Sequence, residues 1–408
     1  MMMEQQEVMT EATTKSATKS FPRRIVKGVA MAVWIFVLVW FLLEVFMRVG
    51  FDALPPETQG VIQHVRRVPW ENEHLIPVLP FIGSREFHAR IPPGLKNYRV
   101  HWGDASFTFN TVAPWDGATE GFRTNPPEWP MDIVAVGDSF TFCWTAFEDC
   151  WVEQLHEDFG WHVMNFGVPG TGSMAHRNVL GVYGPPMEPQ IVLWQWYGND
   201  FQDDYDYAVI RGEIEKPLSG PPSAAPPPNY GKLAEYSTVY TWLRDWIDKK
   251  INPPKNTKDL TPVVRGREIS VADTLYSHEL KYKTVQYGWN ETTRAFEEGQ
   301  GIVQDMGAQM VIILIPTKEE TYAKYITGTL DAAYLERLTQ GRLRLLRTCD
   351  ERGWRCIDMT PYFQDAVDAG QTVYHAFDFH LDASGNKIVS DVVANYLIDN
   401  GLLDPRVN

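Results

Sequence analysis

Residues 133–140 read Ile-Val-Ala-Val-Gly-Asp-Ser-Phe, and this stretch decides the fold. Its first four residues are all apolar, with no alternation of polar and apolar positions. Such a short run predicts a strand that is covered on both faces, which is typical of parallel sheets. The Gly-Asp-Ser that follows predicts a tight turn at the end of the strand.

Similar short apolar runs recur toward the C-terminus and alternate with helical patterns. The predicted strands are 133–136, 162–166, 191–196, 310–315 and 354–357. The predicted helices are 149–159, 174–183, 287–306, 331–348 and 384–399. Strands that alternate with helices predict an α/β domain with a mainly parallel five-stranded sheet, right-handed crossovers and helices on both faces. In such a sheet, ligands bind at the carboxyl ends of the strands.

The α/β pattern covers residues 131–402 and is interrupted once. Residues 203–285 contain no strand–helix–strand unit but hold a Trp-rich helical pattern, and we interpret them as an insertion. Residues 50–130 hold short alternating pieces that predict a β-rich juxtamembrane extension. Residues 1–24 are polar without apolar periodicity and predict a disordered tail.

Residues 25–49 predict a transmembrane helix. Residues 28–43 carry no charge, and the whole apolar stretch has about the 20 residues that a bilayer requires. Five basic residues between positions 15 and 27 precede it, so the N-terminus is expected in the cytoplasm and the large domain in the periplasm or at the cell surface. A cleaved signal peptide is the alternative, but Leu-Glu-Val-Phe at 43–46 is unlike a cleavage site.

Charge and cysteine content narrow the function classes. The net charge of −15 excludes a nucleic-acid partner, because such binding requires a cationic face. Cys143 and Cys150 are seven positions apart, as are Cys349 and Cys356. In an oxidising compartment these spacings favour two local disulfides, although other pairings or four reduced thiols remain open. Neither spacing fits a zinc site, and no metal or cofactor is expected.

Three further polar motifs lie where the predicted sheet would gather them. Gly170 follows the second predicted strand, Gly-Asn199-Asp follows the third, and Asp378-Phe-His380 precedes the last helix. Together with Gly-Asp-Ser139, their order resembles the SGNH, or GDSL, hydrolase family over residues 131–400. The resemblance implies a flavodoxin-like αβα sandwich that cleaves esters, with Ser139, His380 and Asp378 as the catalytic residues.

The chemistry of these residue types agrees with the resemblance. A serine hydroxyl becomes an effective nucleophile when an imidazole accepts its proton, so His380 is the expected base. Asp378 would orient the imidazole and stabilise its charged form. The Ser139 backbone N–H, Gly170 and the Asn199 side chain are the expected oxyanion donors. Asp382 is an alternative acid, but it precedes a predicted helix and suits an N-cap.

Candidate substrate-binding residues lie close to these motifs. Lys318 follows the fourth strand in a Pro-x-Lys segment that is similar to SGNH proteins of exopolysaccharide O-acetylation, and it is expected to line the cleft. The alternative is a solvated lysine that opens a helix. Trp144 and Tyr197 offer flat faces that suit sugar rings or acyl chains. Trp194 and Trp196, in the third strand, can equally belong to the core.

These features favour a membrane-anchored serine esterase that acts on O-acyl, mainly acetyl, esters of envelope carbohydrate. The alternative is an O-acetyltransferase of an exopolysaccharide-modification system, because exclusion of water is what separates the two reactions. A transferase would require a multi-spanning acyltransferase as its partner. A non-catalytic polysaccharide-binding module is the second alternative. The expected partners are an ester substrate, carbohydrate-linked, and the lipid bilayer.

Overall fold

A computed structural model provides the fold of most of the chain. It describes residues 23–51, 54, 82–102, 104–220, 232–251, 262–271, 278–326 and 332–406. The predicted N-terminal tail therefore lies almost wholly outside the described residues.

The first described element is helix α1 (Arg23–Val49). Its segment Ile25–Val49 has a mean hydropathy of 2.5, and almost all of its side chains are exposed, with Met47 near its end as the buried exception. A helix of 27 residues is about 40 Å long, more than the roughly 30 Å of a bilayer's hydrocarbon core. By length and composition, α1 can cross a membrane.

Two antiparallel hairpins follow α1. The first pairs β1 (Ile82–Ser84) with β2 (His88–Arg90), and the second pairs β3 (Tyr98–Trp102) with β4 (Ala105–Phe109). Buried and exposed residues alternate along β4, as expected when one face of a hairpin packs on a core. The ring of Phe107 contacts that of Trp144 at 5.5 Å. The second hairpin therefore packs beside the segment that follows Ser139.

The central sheet has five parallel strands. They are β5 (Ile133–Val136), β6 (Val163–Asn165), β7 (Ile191–Trp196), β10 (Gln309–Leu314) and β11 (Arg355–Asp358). The short hairpin of β8 (Val263–Val264) and β9 (Arg267–Glu268) precedes β10 in the chain. The spatial order is β6-β5-β7-β10-β11, with all neighbours parallel. This is the flavodoxin-like order, so the predicted fold class is confirmed.

Helices cover both faces of the sheet. In chain order the described α-helices after α1 are α2 (Ser139–Phe142), α3 (Trp151–Phe159), α4 (Ser173–Tyr183), α5 (Asp200–Arg211), α6 (Lys232–Tyr236), α7 (Thr238–Ile251), α8 (Lys283–Asp305), α9 (Lys318–Thr321), α10 (Ala332–Arg352), α11 (Thr360–Asp368) and α12 (Ala383–Asp399), of which α6 and α7 lie apart from the sheet. Alternate strand residues enter two separate cores: Val134 packs with α4 and α8, whereas Ile133 packs with α3, α11 and α12. The result is an αβα sandwich.

The helical patterns in the sequence did not predict α5 and α11. Most of α5 falls in the interval predicted as an insertion, yet it packs against α4 and α8 as part of one helical layer. Among the described residues, the departure from the strand–helix order therefore begins after Arg211. It includes α6, α7 and the β8–β9 hairpin.

Candidate active site

Ser139 lies where strand β5 gives way to helix α2. The Asp138 side chain caps this helix by accepting a hydrogen bond from the Phe140 backbone N–H at 2.9 Å. Ser139 is the first helical residue, so its own backbone N–H has no partner within the helix. The side chain of Ser139 is 6% exposed. The carboxyl end of the sheet thus presents a nearly enclosed hydroxyl.

The neighbouring strand β7 holds this turn in place. Gln195 Oε1 accepts hydrogen bonds from the Asp138 N–H at 3.1 Å and from Thr141 Oγ1 at 3.0 Å. A Cβ at Gly137 would lie 2.4 Å from Gln195 Oε1 and 2.1 Å from Thr141 Oγ1. Glycine is therefore required immediately before the Asp-Ser pair, because any side chain there would collide with both.

His380 joins Ser139 to Asp378. Its Nε2 lies 2.8 Å from Ser139 Oγ, and its Nδ1 lies 2.6 Å from Asp378 Oδ1. Burial would raise the pKa of Asp378, but the charge and hydrogen bonds of His380 outweigh it and lower that pKa. The carboxylate thus stays ionised beside the imidazole. Residues 241 positions apart in the chain form one hydroxyl–imidazole–carboxylate series.

The alternative acid has another role. Asp382 is the N-cap of α12, where its side chain accepts a hydrogen bond from the Gly385 N–H at 2.9 Å. Of the two carboxylates considered from the sequence, Asp378 is the one in contact with the imidazole.

Aromatic rings enclose His380. The Trp144 ring stacks on the imidazole with a centroid distance of 4.8 Å, and the Phe379 ring lies at 4.1 Å. Trp144 was predicted as a substrate platform, but it is buried and its face covers the imidazole. Tyr197, the other predicted platform, is also buried and packs on Phe140 at 4.3 Å. Both predictions were wrong, because neither ring faces open space.

Lys318 does not line a cleft. It is buried in α9, and its Nζ donates to the backbone carbonyls of His375 at 2.6 Å, Ala376 at 2.8 Å and Asp378 at 3.0 Å. Burial lowers its pKa to about 8, against the opposing effect of Asp104. Its predicted role in substrate binding was wrong, and so was the alternative of a solvated lysine. Lys318 instead supports the segment 375–380, here called the histidine loop.

Lys318 binds backbone carbonyls of the histidine loop, and Asp104, in the connection between β3 and β4, binds its backbone N–H groups. Its carboxylate accepts hydrogen bonds from the backbone N–H groups of Ala376 at 2.7 Å, Phe377 at 3.0 Å and Asp378 at 3.1 Å. Nothing in the sequence pointed to this residue. The β-rich extension thereby contributes directly to the position of Asp378.

Arg123 supports the serine side of the site in the same way. Its buried guanidinium donates to the backbone carbonyls of Phe142, Cys143 and Thr145. A disulfide between Cys143 and Cys150 closes the same segment, and a second disulfide joins Cys349 to Cys356. Both are the local pairs that the spacing favours. Arg123 and the first disulfide together fix the chain that leaves Ser139.

Two of the predicted oxyanion donors, Gly170 and Asn199, lie in loops at the carboxyl end of the sheet. Gly170 lies in the loop after β6 with φ of +70°, a conformation that favours glycine. Asn199 immediately precedes α5, and its Nδ2 donates to Asp203 Oδ2 at 2.8 Å. One amide hydrogen of Asn199 is thus engaged by Asp203. The oxyanion roles of Gly170 and Asn199 stay predictions.

Comparison with known proteins relates the C-terminal part of this site to a family model. Residues 274–404, which include Asp378 and His380 but not Ser139, match the family model described as an SGNH hydrolase-like domain of the acetyltransferase AlgX. Over these residues the chain is similar to SGNH hydrolase-like domains. A search of curated proteins returned no match.

A search of solved structures returned matches that include one lipolytic-type protein and two esterases. A G-D-S-L family protein from Desulfitobacterium hafniense is 11% identical, with 65% of this chain and 98% of that chain covered and a TM-score of 0.35. The acetyl xylan esterase AlAXEase is 9% identical, with 65% and 100% covered and a TM-score of 0.34. A two-domain esterase active on acetylated mannans is 10% identical, with 68% and 51% covered and a TM-score of 0.33.

The α/β domain also buries carboxyl groups near the site. Burial raises the pKa of Asp138 to about 6, although the Phe140 N–H and the charge of His380 act in the opposite direction. Burial also raises the pKa of Asp204 to about 7, despite its hydrogen bonds from the Met174 N–H and Thr292 Oγ1. Asp204 thereby ties α5 to α4 and α8, and the ionisation of either buried carboxyl costs stability.

One group of side chains among the described residues could share a metal ion. It consists of Glu153, His156 and Glu157 on α3. His156 Nδ1 already lies 2.8 Å from the Trp161 carbonyl, and Glu153 accepts from Asn125. This group contributes nothing to the contacts of Ser139 and His380 described above.

Proposed function

We propose that the protein is a membrane-anchored, extracytoplasmic serine esterase that removes O-acyl groups, mainly acetyl, from envelope carbohydrate. The observation that carries this proposal is the contact series from Ser139 Oγ through His380 to Asp378, with distances of 2.8 and 2.6 Å. Such a series activates a serine hydroxyl for attack on an ester carbonyl. In a binding module it would have no use.

The reaction proceeds in two steps. Ser139 Oγ attacks the ester carbonyl while His380 Nε2 takes the hydroxyl proton, and Asp378 stabilises the imidazolium that forms. When the tetrahedral intermediate collapses, the bond to the sugar oxygen breaks, and His380 returns the proton to that oxygen. The acyl group is then bonded to Ser139. In the second step water attacks the acyl carbon while His380 takes a proton from it. The bond from that carbon to Ser139 Oγ then breaks, His380 returns the proton to Oγ, and the carboxylic acid leaves.

Three observations support the location and the acyl group. α1 has the length and composition of a membrane span, and basic residues precede it, which supports an anchor with an exported domain. Two disulfides agree with an oxidising compartment. The matched family model takes its description from an acetyltransferase, which supports acetyl as the acyl group.

The same family description favours O-acetyl transfer as the second candidate function. Ser139 and His380 are only 6% and 5% exposed, so water has limited access to an acyl-enzyme. In this version a sugar hydroxyl replaces water in the second step. The acyl donor would then come from a multi-spanning partner.

A fluorophosphonate probe tests the serine directly. The full-length protein should be labelled, and Ser139→Ala should abolish labelling, whereas Ser106→Ala, at an exposed serine of β4, should not. His380→Ala should slow labelling by several orders of magnitude. An unlabelled wild type would favour a polysaccharide-binding module.

Product analysis separates the two enzymatic candidates. Release of acetate from acetylated glycan in water, without an added acceptor, is expected for the esterase. If no acetate is released and the acetyl group is found only on an added sugar acceptor, the protein is a transferase.

A further inference from the structure

Helix α7, which directly follows the short helix α6, is attached to the end of α1 that leads into the domain. Glu44 of α1 accepts hydrogen bonds from the backbone N–H groups of Thr238 at 2.7 Å and Val239 at 3.1 Å. It also accepts one from Ser237 Oγ at 2.9 Å. A carboxylate on the first N–H groups of a helix is a favourable cap. The N-terminus of α7 is thus fixed to α1.

Apolar contacts reinforce this attachment. Met47 and Phe51 bury their side chains together with Val239, and Trp40 Nε1 donates to Ser237 Oγ at 3.3 Å. Positions 40, 44 and 47 recur at intervals of three and four, so one face of α1 makes these contacts, and Phe51 adds to them just after the helix ends. The remaining apolar residues of α1 stay exposed.

The position of Glu44 along α1 sets the depth of α7. Residues 28–43 are uncharged and span about 24 Å at 1.5 Å per residue, close to the thickness of a hydrocarbon core. Glu44 is the first charged residue beyond this run. The N-terminus of α7 therefore lies at the level where hydrocarbon gives way to headgroups.

One side of α7 is apolar. Val239, Trp242, Leu243 and Trp246 follow the i, i+3, i+4, i+7 spacing that places them on one side of a helix. α1 covers Val239, but Trp242 and Trp246 are 41% and 51% exposed. Arg244 lies two positions beyond Trp242, on the opposite side, and is exposed. The apolar side therefore continues past α1, and among the described residues its two tryptophans are largely left to the surroundings.

We propose that α7 lies in the headgroup region of the bilayer, with Trp242 and Trp246 inserted beside α1. This inference rests on the proposed membrane anchor. Tryptophan prefers this interface, and an amphipathic helix binds there with its apolar side toward the acyl chains. Because the apolar side is continuous with a membrane-spanning helix, the lipid bilayer is its partner. A span and an in-plane helix together would hold the catalytic domain at a fixed height and tilt.

Site-directed fluorescence tests the proposal on the full-length protein in phosphatidylcholine–phosphatidylglycerol vesicles. An environment-sensitive dye is attached to Phe36→Cys in the span, Trp246→Cys on the apolar side of α7, or Arg244→Cys on its opposite side. We expect a blue-shifted emission at 36 and 246 but not at 244. Spin labels placed shallow on the lipid chain should quench position 246 most strongly, and deep ones position 36.

The outcomes distinguish the two proposals. If position 36 is quenched by lipid labels while 246 and 244 both report water, the anchor stands and the α7 proposal falls. If position 36 also reports water, both fall. Quenching of 244 and 246 alike would place α7 inside the bilayer and would also overturn an in-plane arrangement.

Discussion

Removal of the Asp104 carboxylate should loosen the histidine loop without unfolding the domain. Asp104→Ala deletes the acceptor of three backbone N–H groups, those of residues 376–378. Lys318 still holds the carbonyls on the other side of the loop. The loop therefore stays attached but loses the contacts that position Asp378.

The size of the effect follows from the number and exposure of these bonds. Hydrogen bonds to a charged group contribute about 1.5–3 kcal/mol each. The Asp104 side chain is 27% exposed, so water replaces part of the loss, and we expect a net cost of about 2–3 kcal/mol in loop ordering. At about 1.36 kcal/mol per factor of ten, kcat/KM falls by up to about 100-fold.

Two measurements together check this prediction. Hydrolysis of a chromogenic acetyl ester should show the loss mainly in kcat, because Asp104 holds a loop and contacts no reacting atom. Hydrogen exchange should show lost protection of the amides at 376–378. Asp104→Asn should give an intermediate effect, since it keeps one acceptor oxygen without the charge. The melting temperature should change by only a few degrees, because the bonds are local.

Arg267→Gln provides the matched control. Arg267 lies 3.8 Å from Asp104, so the variant removes a neighbouring charge but leaves the three hydrogen bonds. Its kcat/KM should stay within about twofold of the wild type, as is usual for an exposed ion pair. Unchanged amide protection in Asp104→Ala, or lost protection with a wild-type kcat, would refute the positioning role.

Three other predictions concern packing, pH and the disulfides. Gly137→Ala should destabilise the protein by about 1–3 kcal/mol in urea unfolding, because the new Cβ would lie 2.1 Å from Thr141 Oγ1. Gly301→Ala is the control: no atom lies within 4 Å of its new Cβ, so it should stabilise helix α8 by about 0.5–1 kcal/mol. Folding raises the pKa of Asp204 from 3.8 to about 7, so the folded state binds this proton more tightly than the unfolded state does, and the protein loses stability as the pH rises from about 4 to 7. Asp204→Asn should remove up to about 4 kcal/mol of that decline. A decline of equal size in the wild type and the variant would contradict the assignment. Cys143→Ser/Cys150→Ser should cost about 2–3 kcal/mol of stability and slow fluorophosphonate labelling, while removal of the other disulfide should cost a similar amount and leave the labelling rate unchanged.

The sheet could be predicted from the sequence because burial on both faces leaves a strong local signal. Ile191–Trp196 is an uninterrupted apolar run apart from Gln195, and its predicted bounds coincide with those of β7. Helix α5 left no such signal. Its first turn holds Asp200 and Asp203, which are typical of a solvated turn. Asp200 is nevertheless buried and accepts from Ser173 Oγ at 2.7 Å, a partner that only the folded chain supplies.

The reacting groups were predictable for a related reason. Ser139 follows a strand directly, so the topology of the sheet fixes its place. The surroundings were not predictable, because burial depends on neighbours distant in sequence. Lys318 and Trp144 have side chains suited to binding a substrate. Only the fold shows that Lys318 instead donates to the histidine loop and that Trp144 stacks on His380. Asp104 resembles any acidic residue in a hairpin turn.

Two of the buried cations, Arg123 and Lys318, have equivalent roles on opposite sides of the site. Arg123 donates to carbonyls after Ser139, and Lys318 donates to carbonyls of the histidine loop. Had Lys318 paired with the carboxylate of Asp378, it would have competed with the imidazole for that oxygen. Because it binds main-chain carbonyls instead, it adds positive potential near Asp378 and leaves Oδ1 to His380. Asp104 then offsets the charge of Lys318 from the opposite side of the loop. Asp104 belongs to the β3–β4 hairpin, so the extension before the sheet contributes to the site. The hydroxyl–imidazole–carboxylate geometry therefore depends on this extension as well as on the α/β domain.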